Sequence, residues 1–249
     1  MAEFKFPTET VELPSKGLVY PKENPLSSGK IEIKYMTAKE EDILTNQNYV
    51  KQGTVVDKLL RSLIIDKKIN YDDMITGDKN AVLIAARILG YGKDYTFKYL
   101  NAETITIDLT DLKTRYLDES TMIEGKNEFS YTLPHTNTEI TYKILTNRDE
   151  KKIDAEVKGL KKINKTASPE LSTRLKHMIT SVNGETENKT IRDFVDNYML
   201  ARDSRAFREH LRETQPDVVM KFQHVNNMGI EEDAVVPMTA GFFWPDSGI

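Results

Sequence analysis

Hydrophobic residues recur at helical spacing in two parts of the chain. Between residues 55 and 64 they follow the 3.6-residue period of a helix with one apolar face. Residues 81–89 are apolar almost all round, which predicts a central buried helix with Asp78 as its N-cap. Residues 37–92 and 147–215 are therefore predicted to be mainly helical.

Other stretches alternate polar and apolar residues, as half-buried strands do. Three pairs of such runs predict antiparallel β-hairpins: 95–99 with 104–109, 129–133 with 140–144, and 218–225 with 234–238. Helical stretches and hairpins follow one another without the spacing of β-α-β units. The pattern therefore predicts an α+β fold in which helical segments pack with antiparallel β-hairpins, and not a doubly wound parallel sheet.

The order of these elements divides the chain into three segments. Residues 1–30 contain four prolines and two glycines, which predicts an extended N-terminal arm. Residues 31–146 carry helices and two hairpins, and residues 147–249 carry helices, the last hairpin and an aromatic tail. Because helices precede hairpins in both of the longer segments, we expect two related halves that divide near residue 147.

The composition excludes several classes of protein. The chain has 249 residues, 39% of them hydrophobic, with a net charge of -4, which does not fit a disordered protein. It has no apolar run approaching the ~20 residues of a transmembrane helix and no secretory signal. Its mildly acidic charge argues against nucleic-acid binding. We therefore expect a soluble intracellular protein that binds neither nucleic acid nor membrane.

The residues offer little that indicates an enzyme. Cysteine is absent, which excludes disulfides, thiolate nucleophiles and thiolate-bound metals. The sequence has neither a phosphate-binding loop nor a nucleophile elbow, and its four histidines lack metal-ligand spacing. His135 and His210 are expected at the surface. The sequence thus predicts no catalytic residue, no cofactor and no metal ion.

Two features suggest binding to another protein. Arginines recur every three or four residues in the last predicted helix, so they share a face suited to an acidic protein partner. They are Arg202, Arg205, Arg208 and Arg212. The aromatic tail, Phe242, Phe243 and Trp244, either folds back onto its own chain or docks on another protein. The sequence leaves both alternatives open.

Several short motifs resemble those of one protein family. Residues 11–21 read Val-Glu-Leu-Pro-Ser-Lys-Gly-Leu-Val-Tyr-Pro and resemble the N-terminal signature of the T4-type bacteriophage baseplate proteins. Further motifs follow in the family's order, at residues 110–112, 116–118, 145–150, 203–208, 216–217 and 242–246. Relatives often carry paired cysteines in two hairpin tips, but here residues 100–103 and 224–229 contain none. The resemblance therefore does not extend to a structural zinc site.

The resemblance implies a function without bond chemistry. It implies a chaperone-like assembly factor that promotes assembly of the baseplate hub of a contractile-tailed phage. Such a factor is a late protein, acts in the host cytoplasm during infection and is absent from the mature virion. Its partners would be other baseplate hub or tail proteins, such as the tape-measure protein or hub subunits. A structural subunit retained in the hub is the alternative, and an enzyme or nucleic-acid binder is the remaining class.

Overall fold

Helices and antiparallel strands both contribute to the fold. The computed structural model describes residues 7–99, 103–166, 168–225, 229, 231–238 and 242–243. The helices are α1 (Ala38–Thr45), α2 (Gln47–Gln52), α3 (Val55–Leu63), α4 (Thr76–Tyr91), α5 (Asn147–Ile163), α6 (Glu170–Met178), α7 (Asn188–Asp193), which continues into a π-helical turn at Phe194–Tyr198, and α8 (Ala201–Thr214). The strands are β1 (Thr8–Glu12), β2 (Lys30–Lys34), β3 (Asp94–Tyr99), β4 (Glu103–Asp108), β5 (Thr114–Arg115), β6 (Phe129–Thr132), β7 (Glu139–Tyr142), β8 (Ile179–Val182), β9 (Asp217–Val218), β10 (Lys221–Val225) and β11 (Glu231–Val235). The predicted α+β class is confirmed.

The strands of the described residues pair only in the antiparallel sense. The sheets are β1-β2, β3-β4, β5-β9, β6-β7-β8 and β10-β11. The three predicted hairpins appear as β3-β4, β6-β7 and β10-β11. The third strand of the largest sheet, β8, was predicted to be helical, and that prediction is wrong. Its residues pair with β7, Ile140 opposite Val182, because this long-range pairing buries three of its four side chains.

Helix α4 is the central helix of the fold. Its residues 81–84 and 86 are buried, as the apolar run predicted. The predicted role of Asp78 is wrong, because Ile75 occupies the N-cap position and Asp78 lies inside the first turn. Its side chain is fully buried and accepts hydrogen bonds from the N-terminal segment. Gly77 lets this helix approach β9 closely, since a Cβ there would lie 1.9 Å from the carbonyl oxygen of Pro216.

The N-terminal segment is part of the core and not an extended arm. Strands β1 and β2 pair from Thr8 to Lys34, and the residues between them curl back in tight turns. Leu13, Val19 and Leu26 are buried in the same hydrophobic core as α4. Burial of these side chains stabilises the packing of the segment on the rest of the protein.

The predicted division near residue 147 is not a structural boundary. Strand β5 pairs with β9 across it, with Thr114 opposite Val218. The Asn147 side chain donates a hydrogen bond to the Tyr71 carbonyl (2.8 Å). Buried residues from Val11 to Phe243 form one hydrophobic cluster, so the described residues build a single core. Among them, none of the helices combines the length and hydrophobicity that crossing a membrane demands.

Candidate functional site

Helix α8 is amphipathic and packs by its inner face on the sheet of β6 and β7. Phe207 and Leu211 are buried on that face, and the Phe207 ring lies edge-on to Tyr142 with centroids 5.0 Å apart. At the start of the helix, buried Asp203 accepts a hydrogen bond from the backbone N–H of His135 (2.8 Å). These contacts fix which side of α8 faces solvent.

Three of the four predicted arginines share the outer face of α8. At 3.6 residues per turn, Arg205, Arg208 and Arg212 fall within an arc of about 60°. Together with Glu209 they line a shallow surface depression of about 300 Å³. Arg202 is exposed, but helical geometry places it about 60° outside this arc, and it does not line the depression. We call Arg205, Arg208 and Arg212 the arginine face.

The positive charge of the arginine face is only partly balanced. Glu209 lies 3.0 Å from Arg205 and 4.0 Å from Arg212, and the Nε of Arg208 donates to the Ser204 carbonyl (3.2 Å). Two of the three guanidinium groups thus share one neighbouring carboxylate, and that of Arg208 has only a backbone carbonyl as its recorded partner. The side chains of Arg205 and Arg212 are 76% and 70% exposed, so these ion pairs contribute little to stability. Their donors remain available to carboxylates of another molecule.

The two phenylalanines of the aromatic tail fold back onto their own chain. Phe242 and Phe243 are only 1% and 4% exposed. The Phe242 ring meets Tyr95 edge-on at 5.0 Å, and the Arg87 guanidinium lies 6.0 Å from its centroid. The assignment of these two phenylalanines as partner-binding residues is therefore wrong, because their rings are buried in the core. Trp244 lies outside the described residues, and its role stays a prediction.

The signature at residues 11–21 builds a buried hydrogen-bond network. The Ser15 backbone N–H and hydroxyl donate to the Asp78 carboxylate at 2.9 and 2.7 Å. The Tyr20 hydroxyl donates to the same carboxylate at 2.6 Å and accepts from the Ile75 N–H at 3.0 Å. Burial raises the pKa of Asp78 and, together with Asp78, the pKa of Tyr20. This network is shielded from solvent, so the signature residues stabilise the fold.

His210 is half-buried on the inner side of α8, contrary to the expectation of a surface position. Its Nε2 lies 2.9 Å from the Tyr142 hydroxyl, and its ring stacks on Tyr131 at 4.4 Å. Burial lowers its pKa. Its position three residues after Phe207, at helical spacing, was the signal in the sequence that places it near the inner face.

Comparison of the chain with models of protein families, with curated proteins and with solved structures gave no match in any of the three. The geometry of the arginine face is thus the main structural observation that bears on function. In the part of the chain that the structure describes, no three His, Asp or Glu side chains gather closely enough to hold a metal ion. The absence of a metal and of enzymatic activity stay predictions.

Proposed function

We propose that the protein is a non-enzymatic, chaperone-like factor that promotes assembly of the baseplate hub of a contractile-tailed bacteriophage. The observation that carries this proposal is the arginine face, which offers exposed cations on a rigid, well-packed helix. The motifs between residues 11 and 246 support it by their resemblance to the T4-type baseplate proteins. Within that family, the chain is similar in length to the hub assembly catalyst.

The arginine face suits reversible binding to an acidic surface of a hub or tail subunit. Arginine is enriched among residues that dominate interface energetics, and its planar group binds carboxylates in a bidentate manner. Attraction between exposed charges accelerates encounter and is weakened by salt. An assembly factor needs such a contact, because it must hold a subunit and then yield to the final partner. By holding the binding-competent state, it raises the population of subunits that can assemble.

Substitution of the arginine face tests the proposal. We expect Arg205→Ala, Arg208→Ala and Arg212→Ala together to weaken binding to purified hub proteins by at least tenfold and to reduce the yield of assembled hubs in infected cells. The free energy of unfolding should change by less than about 1 kcal/mol, because the three side chains face solvent. The matched control replaces exposed Lys158, Lys162 and Lys165 of the α5 region with Ala. Normal binding and assembly by the arginine variant would contradict the proposal.

Retention in the virion distinguishes an assembly factor, which leaves after assembly, from a structural subunit, which stays in the hub. We expect mass spectrometry of purified virions to detect the hub subunits and not this protein. Detection of the protein at a fixed ratio to hub subunits would instead identify a structural subunit that remains in the hub. Both outcomes are compatible with binding through the arginine face, so this measurement concerns only what happens to the protein after assembly.

A further inference from the structure

A cleft of about 480 Å³ opens between the β3-β4 hairpin and the β10-β11 hairpin. Its apolar walls include Leu112, Val219 and Phe222. The two hairpins are held beside it by aromatic contacts, with Phe97 of β3 edge-on to Phe222 at 5.4 Å. None of the residues lining the cleft belongs to α8, so it is separate from the arginine face.

The cleft follows the edges of β4 and β10 and also reaches Asp233 on the neighbouring strand β11. Successive residues of β4, from Thr106 to Asp108, line it, and so do successive residues of β10, from Lys221 to Gln223. Since neighbouring side chains of a strand point to opposite faces, only a surface along the strand edge can contact both sets. Among the described residues, β4 pairs only with β3, and β10 only with β11.

The backbone groups at these edges are oriented toward the cleft. Leu109 donates its N–H to the Lys93 carbonyl (2.9 Å), which marks a hydrogen-bonded pair of the β3-β4 ladder. Because such pairs alternate in antiparallel sheets, the backbone N–H groups of Thr106 and Asp108 point away from β3. The bond from the Val236 N–H to the Met220 carbonyl (3.0 Å) likewise marks a hydrogen-bonded pair of the β10-β11 ladder. By the same alternation, the backbone N–H and C=O of Gln223 point away from β11.

We propose that this cleft receives an extended segment of a partner protein, which pairs as an added strand with the edges of β4 and β10. Outward N–H and C=O groups at strand spacing are satisfied by another strand, whereas a helix has its own backbone groups already paired. Alternate side chains of the added strand would pack on Leu112, Val219 and Phe222. This inference goes beyond the proposed function, because it assigns a second binding site that does not involve the arginine face. The site requires only that the partner protein offers an extended segment able to pair with the strand edges.

The charges around the cleft favour a peptide over a charged small ligand. Asp108 pairs with Lys93, and Lys221 with Asp233 at 3.2 Å, so these charges of opposite sign balance each other. Asp111 and Lys113 add one further charge of each sign. A cleft without a dominant charge selects its occupant by backbone pairing and apolar contact, and it does not attract nucleic acid.

A proline substitution in β4 tests whether a partner strand pairs with its edge, and a proline substitution in β3 of the same hairpin is the control. Thr106 and Thr96 are cross-strand partners whose hydroxyl oxygens lie 2.8 Å apart. Their N–H groups point to opposite edges of the hairpin, so proline at either position removes no β3-β4 hydrogen bond. Thr106→Pro removes a donor that faces the cleft, and Thr96→Pro removes one on the far edge.

The probe is a library of random peptides of about twelve residues displayed on filamentous phage, a length that covers a typical strand. We expect the full-length protein to enrich peptides that alternate apolar and polar residues. Binding of the synthesised peptides should fall at least tenfold in Thr106→Pro and stay within about twofold in Thr96→Pro. The arginine-face variant should bind them normally, so this result is independent of the proposed function.

Amide hydrogen exchange on the unmodified protein provides a second measurement that requires no substitution. A bound peptide should slow exchange at the N–H groups of Thr106, Asp108 and Gln223. Failure to enrich any peptide, equal loss of binding in both proline variants, or unchanged exchange at these amides would overturn the proposal. Self-association of the protein that is abolished by Thr106→Pro alone would also overturn it, because the strand donor would then be a second copy.

Discussion

Helices α4 and α8 both carry charged side chains, but they use them in opposite ways. In α4, Asp78 and Arg87 point into the protein and are buried. In α8, Arg205 and Arg212 point into solvent. A charged residue on a helix therefore indicates a binding surface only when the fold leaves its donors or acceptors unused.

The partners of the two α4 charges come from different parts of the chain. Asp78 accepts hydrogen bonds from Ser15 and Tyr20 of the N-terminal segment. Arg87 donates to the carbonyls of Gly92 (2.6 Å) and Asp94 (3.0 Å), and its guanidinium lies beside the Phe242 ring near the C-terminus. Buried charges are costly unless such partners are in place. Helix α4 therefore contacts the N-terminal segment through Asp78 and Phe242 through Arg87.

The largest expected effect follows from removing the buried carboxylate. We expect Asp78→Ala to lower the free energy of unfolding by about 4 kcal/mol, because it leaves three buried donors without an acceptor. Urea denaturation measures this loss. The control is Asp42→Ala on the exposed side of α1, which should change stability by less than about 0.5 kcal/mol. Similar values for the two variants would show that the α4 network does not stabilise the fold.

A smaller effect is expected at the other end of α4. Phe242→Ala should lower the free energy of unfolding by about 3 kcal/mol, because it leaves a cavity beside Tyr95 and Arg87. The exposed Tyr198 provides an aromatic control, and Tyr198→Ala should cost less than about 1 kcal/mol. If denaturation showed Phe242→Ala to be as stable as the control, the ring would not be part of the core and could act at a surface.

A tight turn in the N-terminal segment is expected to contribute less to stability than the buried carboxylate or the Phe242 ring. Gly17 has φ = +79°, and a Cβ there would lie 2.4 Å from the Ser27 carbonyl oxygen. We expect Gly17→Ala to lower the free energy of unfolding by about 2 kcal/mol, from backbone strain and this contact. Gly184 has φ = +84° but open space around it, so Gly184→Ala should show the strain alone, about 1 kcal/mol. Thermal melts measure both losses of stability. If the two variants lost equal stability, the contact between the new Cβ and the Ser27 carbonyl would contribute nothing to the loss in Gly17→Ala.

The smallest expected effect concerns pH and the inner face of α8. Burial lowers the pKa of His210 from 6.5, an effect that nearby Glu213 opposes. The unfolded chain therefore binds a proton at His210 more readily than the folded one. Stability from this residue is present above pH 6.5 and is lost as pH falls through the folded-state pKa.

Urea melts at several pH values measure this dependence as the difference between the natural protein and His210→Gln. The glutamine variant should lose less stability on acidification, because it has no proton to bind at this position. Guanidinium groups keep their charge over this range, so the arginine face should be unaffected. A constant difference between the two proteins across the range would contradict the effect of burial on His210.

Local patterns in the sequence determined most of the individual elements. The apolar period of α3 and α4, the alternation in β3 and β4, and the spacing of the arginines in α8 depend on residues close together in the chain. Such patterns state which side of an element is apolar. They are therefore sufficient to place Arg205, Arg208 and Arg212 on one face of a helix and to predict the α+β class.

The contacts that each element makes depend on the tertiary structure. Strand β8 forms because β7 lies beside it, and Asp78 is buried because the distant Ser15 and Tyr20 satisfy it. Phe242 is a core residue instead of a docking residue because Tyr95 and Arg87 enclose its ring. Burial and hydrogen bonding between residues far apart in the chain depend on the complete fold. A local pattern carries no information about them.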